Sequence, residues 1–195
     1  MKTRTNKLLL ITGIVSLLLL TLPSLHSAAI PATWSGGTAT GTYTWETASN
    51  WTPSANYPSG GQGGNTFSVT IGDATGDRVI TTSGAISLTG IQLTQSSSGG
   101  SSTLKLGGNL SLTGSPVAGG ITNSTSDPAK IVIDLNGFNF TNSLNAIYFA
   151  SGGNYTVRST AVGGGGTFGG NLSLYGDNNL HVENSVTIEI STGVH

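Results

Sequence analysis

Side chains with chemistry to offer are few in this 195-residue chain. Trp34, Trp45 and Trp51 are its only tryptophans, and Tyr43 and Tyr57 lie close by. Exposed, such rings form a flat platform for sugars, because they bury area with little loss of side-chain entropy. Buried, they cap an open end of a fold, and large apolar rings bury more often than they bind. Capping is therefore the expectation, with glycan contact through Trp34, Trp45 and Trp51 as the weaker reading. Asp73 and Asp77 sit on the turn Gly72-Asp73-Ala74-Thr75-Gly76-Asp77 and could meet calcium. That turn has no EF-hand spacing, so a solvated turn is expected.

Asp134, His181, Glu183 and Glu189 are the acid and base groups a polysaccharide-cleaving enzyme would recruit. Asp134 and Glu189 are 55 residues apart. On stacked strands that is about two to four turns, or ~10 to 17 Å, beyond the roughly 5 to 9.5 Å of a glycosidase pair. Lyase chemistry would want clustered cations, yet Arg78, Lys105, Lys130 and Arg158 are scattered. His181 and His195 do not make a metal site by themselves. The run Gly163 to Gly166 lacks the Lys-Ser/Thr of a phosphate loop. The sequence thus assigns no catalytic residue, no cofactor and no metal, and a non-enzymatic chain is expected.

Gly, Ser, Thr and Asn supply about half of the residues, 30, 25, 28 and 15 of them. Three of the seven basic residues, Lys2, Arg4 and Lys7, precede an apolar run from Leu8 to Leu22, then Pro23 and the small residues Ser27-Ala28-Ala29. That order is a secretory signal peptide over residues 1–29, with cleavage after Ala29 fitting small-residue preference best and Ala28 or Ala32 as close competitors. The run is too short to span a bilayer of ~30 Å at 1.5 Å per residue, so no transmembrane span is expected in the mature chain. The remainder carries 4 basic and 8 acidic residues. A net charge of −4 argues against nucleic acid as partner. There are no cysteines, so packing or repetition must stabilise the exported chain.

Helix formers are scarce after position 30, and short alternating runs recur between Gly, Ser and Asn clusters. Strands are predicted at 67–71, 85–93, 103–106, 109–112, 130–135, 146–149, 155–158, 171–175, 180–183 and 186–190. If Ile131, Ile133 and Leu135 face a core, then Val132, Asp134 and Asn136 face solvent. The hexapeptide Gly107-Gly108-Asn109-Leu110-Ser111-Leu112 returns identically at Gly169 to Leu174, and Gly152 to Val157 is a third, like-for-like copy. Asparagines recur at 109, 123, 139, 154 and 171, as stacked coils of about 15 or about 30 residues would place them. Gly and Asn suit corners needing positive φ, and stacked asparagines can form a ladder. The sequons at Asn50, Asn109, Asn123, Asn139, Asn154 and Asn171 follow from this richness.

The expected fold is all-β: a single-stranded parallel β-helix, or β-solenoid, preceded by a signal-peptide helix, with an antiparallel β-sandwich as the alternative. Three segments follow: the signal peptide 1–29, a Trp-rich cap 30–78 and solenoid repeats 79–195. The chain stops just after a strongly alternating strand, so a truncated C-terminus is expected, with end-to-end self-association through an open coil edge.

Two segments resemble a known group. Thr33-Trp34-Ser35-Gly36-Gly37, then Tyr43 to Trp51 with Pro53, then Ser68-Val69-Thr70-Ile71-Gly72 are similar to the opening of bacterial secreted proteins with autotransporter-associated β-strand repeats. Ile131 to Phe138 resembles a segment of pectate-lyase-like right-handed parallel β-helices. The resemblance implies an adhesin-like β-helix, secreted and extracellular or on the outer cell surface. Its partners would be extracellular polysaccharide or cell-surface components. A carbohydrate-binding or polysaccharide-degrading β-helix is the alternative function.

Overall fold

The computed structural model describes residues 28–59, 65–96, 99–114, 120–123, 127, 130–142, 147–150, 153–170, 172–174 and 179–190. All but the last two residues of the expected signal segment lie outside them, as does the helix expected there. Among the described residues no helix is long and apolar enough to cross a membrane.

Among the described residues eighteen strands are formed. In chain order they are β1 (Ile30–Trp34), β2 (Gly41–Thr44), β3 (Trp51–Thr52), β4 (Phe67–Ile71), β5 (Arg78–Thr81), β6 (Ile86–Leu88), β7 (Gly90–Gln95), β8 (Ser102–Lys105) and β9 (Leu110–Leu112). Then follow β10 (Ile121–Asn123), β11 (Ile131–Asp134), β12 (Phe140–Asn142), β13 (Ile147–Ala150), β14 (Asn154–Arg158), β15 (Thr167–Gly170), β16 (Leu172–Leu174), β17 (Asn179–Val182) and β18 (Thr187–Ile190). They make a seven-stranded sheet in the order β16-β13-β10-β7-β4-β1-β3, a six-stranded sheet β17-β14-β11-β8-β5-β2, and a five-stranded sheet β18-β15-β12-β9-β6. From β4 onward the chain visits the three sheets in strict rotation, so each strand from β7 to β15 pairs with those three before and three after it.

Among the described residues every pairing is parallel except β1 with β3, where Thr33 faces Thr52 and Trp34 faces Trp51. That excludes the antiparallel sandwich. On the six-stranded sheet Tyr43, Ile80, Leu104, Ile133, Val157 and Val182 stand in one column. Subtracting successive numbers gives intervals of 37, 24, 29, 24 and 25 residues between paired strands, well above a 15-residue spacing.

Apolar residues of short strands need partners from the turns above and below, because one turn cannot bury them alone. Alternate positions point inward: Val69 and Ile71 from β4, Ile86 and Leu88 from β6, and Leu104 from β8 belong to one buried cluster. Phe140, Phe149 and Phe168 meet inside it, with ring centroids 5.2 and 6.0 Å apart.

The repeated hexapeptide is not the structural repeat. Its copies lie in β9, across β15 and β16, and in β14, strands that belong to different sheets. Nor do Gly107 and Gly108 supply positive φ. A Cβ on Gly107 would come within 2.0 Å of the Thr82 carbonyl oxygen, and one on Gly108 within 2.3 Å of the Gly84 carbonyl carbon. These glycines are needed because adjacent turns approach there backbone to backbone. Positive φ occurs at Gly170 (115°) of the second copy, and at Asn136 (48°) and Gly137 (86°), the corner between β11 and β12.

Candidate functional site

In the Trp-rich segment Trp34 ends β1 and Trp51 begins β3, facing each other across their antiparallel pair. Between β2 and β4 the described residues 45–59 include β3 and a short 3-10 turn, Ala48–Asn50, and add no strand to the five-stranded sheet. Trp45 and Trp51 are fully buried and Trp34 is 6 % exposed. Trp51 meets Trp34 edge-on at 5.0 Å and Trp45 at 4.5 Å. Each indole N–H has a carbonyl acceptor: Trp45 donates to Pro58 at 2.8 Å, Trp51 to Trp45 at 2.7 Å and Trp34 to Gly37 at 3.4 Å. The apolar faces are spent on one another and the polar edges on backbone, which leaves no open ring face for a sugar.

The second polar assembly lies at the β11–β12 corner. Asp134 is 1 % exposed, and Val132 only 5 %; both were expected in solvent. Asp134 is buried because the next turn folds over its carboxylate. Its Oδ1 accepts the N–H groups of Asn136 (3.1 Å) and Thr160 (3.0 Å), and its Oδ2 accepts the Thr160 hydroxyl (2.8 Å). Arg158, in register with Asp134, brings Nε to 3.7 Å of Oδ2. Asn136 donates from Nδ2 to the Leu106 carbonyl of the preceding turn at 3.0 Å, and the Gly137 N–H donates to Ser159 Oγ at 3.0 Å. One corner thus ties three successive turns. Beside it an open groove of about 500 Å³ is lined by Ser159, Thr160, Ala161, Asn184, Ser185 and two glycines.

A third buried group is Arg78, 1 % exposed. It donates to the Gly72 carbonyl and, at 3.0 Å, to Ser102 Oγ. Burial lowers its pKa, while the nearby Asp73 and Tyr43 act in the opposite sense. Gln95, also buried, closes the same corner by accepting from the Ala74 N–H (2.9 Å) and donating to its carbonyl (3.1 Å). The sequence pattern missed this network because Arg78 and Gln95 are polar residues at inward positions, and only the acceptors converging from neighbouring turns make them acceptable there.

The expected acidic groups are not brought together. Asp134 belongs to the six-stranded sheet and Glu189 to the five-stranded one, opposite Gly169. His181, Glu183 and Glu189 are exposed. His195 lies outside the described residues. Asp77 serves structure: its Oδ1 accepts the Ser101 N–H (3.1 Å) and hydroxyl (2.9 Å). Asp73 is exposed, and among the described residues no three His, Cys, Asp or Glu side chains could hold a metal together. Asparagine side chains link turns: Asn109 Oδ1 accepts the Asn139 N–H (3.0 Å), Asn139 Oδ1 the Thr167 N–H (2.9 Å), and Asn179 donates to Asn154 Oδ1 (3.0 Å).

Compared with known proteins, the chain matches no family model, no curated protein and no solved structure. The likeness to autotransporter-associated repeats therefore rests on the motifs quoted above.

Proposed function

We propose that this chain is a non-catalytic structural or adhesive protein, exported by residues 1–29 and working outside the cell or on its outer surface. In this reading the three sheets are the faces of one continuous parallel β-helix. The observation that carries it is what the polar and aromatic side chains do. Trp34, Trp45 and Trp51 close the first turn, while Asp77, Asp134, Asn109 and Asn139 link one turn to the next. Groups that satisfy one another inside a stack serve rigidity and a long, regular surface. The absence of cysteine suits this design, since stacking stabilises without cross-links. The export of the chain rests on its first 29 residues.

The test is a titration of residues 30–195 with a panel of soluble polysaccharides, followed by tryptophan emission and calorimetry. No emission shift and no heat with any glycan is the expected outcome. Saturable heat accompanied by an emission shift with one glycan would replace this reading with a carbohydrate-binding one centred on the Trp-rich segment.

A further inference from the structure

We propose that Asn136 is a site of spontaneous covalent modification, deamidation through a cyclic imide with the Gly137 nitrogen, and that the Ser159–Thr160 segment of the next turn controls its rate. Among the 15 asparagines, Asn136 is the only one followed by glycine. A following residue without Cβ lets its backbone nitrogen reach the asparagine side-chain carbon with least steric hindrance. In the reaction the deprotonated Gly137 nitrogen attacks Cγ of Asn136. The new N–C bond forms as the Cγ–Nδ2 bond breaks, and ammonia leaves. Water then opens the imide at either carbonyl, giving aspartate or isoaspartate.

The folded corner opposes each requirement. The attacking nitrogen keeps its proton on Ser159 Oγ at 3.0 Å. The departing amide is held by the Leu106 carbonyl at 3.0 Å, and Asn136 Oδ1 is 3.4 Å from the Thr160 hydroxyl. Asn136 is half-buried and Gly137 exposed, so water reaches the corner once the Ser159–Thr160 segment lifts. The product is self-reinforcing. A carboxylate at 136 cannot donate to Leu106 and sets a second negative charge beside Asp134, which already accepts the Asn136 N–H. Modification therefore loosens the corner that had prevented it.

The experiment incubates the full chain at mildly alkaline pH, natively and in urea, and maps deamidation by peptide mass spectrometry. In urea Asn136 should react first of all the asparagines. In the folded chain its rate should fall about tenfold or more, as for a group that reacts only after local opening. Ser159→Ala should raise the native rate about two- to tenfold, the effect of one lost hydrogen bond on an opening equilibrium. Thr160→Val, which keeps the backbone bond to Asp134, should act in the same direction. Native and urea rates within twofold of each other, or another asparagine reacting first in urea, would overturn the proposal. So would variants that fold, by circular dichroism, yet leave the native rate unchanged.

Discussion

Asp134 holds neighbouring turns together with one carboxylate: three hydrogen bonds reach it, two of them from Thr160. Removing a buried acceptor strands its donors, so the loss exceeds the worth of the bonds themselves. Asp134→Ala should lower the unfolding free energy by about 3 kcal/mol, read from urea denaturation, whereas Thr160→Val should cost about 1 kcal/mol. A change below ~0.5 kcal/mol for Asp134→Ala would mean the corner does not hold the turns. Trp51 makes the complementary case in the apolar part of the fold. Trp51→Ala removes a ring packed between Trp34 and Trp45 and should cost about 3–5 kcal/mol, measured the same way. The sequence placed Trp51 in a cap because of ring size and clustering. It misplaced Asp134 because alternation along a strand says which face a residue takes, but not whether a later turn folds over that face.

At the scale of elements, close stacking makes some glycines irreplaceable and leaves others free. Gly108 abuts the backbone of the turn below, while a Cβ on Gly84 would meet nothing within 4 Å. Gly108→Ala should therefore destabilise by about 1–3 kcal/mol and Gly84→Ala by less than about 0.5 kcal/mol; equal effects in thermal unfolding would contradict the stacking. Strands with clean alternation were legible: β4 coincides with the run 67–71, and β8, β9, β11, β13, β14 and β16 to β18 fall within one or two residues of predicted runs. The run 85–93 was read as one strand, but between Leu88 and Gly90 the chain turns from one sheet to another, giving β6 and β7. That corner is Thr89 followed by Gly90, the first residue of β7, and one glycine inside an alternating run does not by itself mark a turn. β5 begins with the inward Arg78, and β15 contains Gly169 and Gly170, so neither shows the apolar period that marks a strand.

Across the whole molecule, order should follow depth in the stack. Ile80, Leu104, Ile133 and Val157 are at most 2 % exposed, whereas Val182, next in the same column, is 46 % exposed. Amide exchange should accordingly be slowest in β8 and β11 and fastest in β17, since local stability tracks buried contacts; uniform exchange would argue against stepwise stacking. The rise and fall of asparagine and glycine made repetition visible in the sequence, but Asn109 and Asn139 adjoin strands of the five-stranded sheet while Asn154 begins one of the six-stranded sheet. The interval between paired strands was therefore illegible until pairing was known.

The fold depends most on that pairing, and a chain without cysteine allows it to be tested directly. Ser111 and Thr141 are register partners, and Ser87 lies one strand further along the same column. Parallel neighbours are about 4.8 Å apart, within disulfide reach, while strands two apart exceed the ~7 Å limit. Under mild oxidation, Ser111→Cys with Thr141→Cys should cross-link within the monomer, and Ser87→Cys with Thr141→Cys should not. The reverse result, or no intramolecular cross-link from either pair, would contradict a stack of turns in this register.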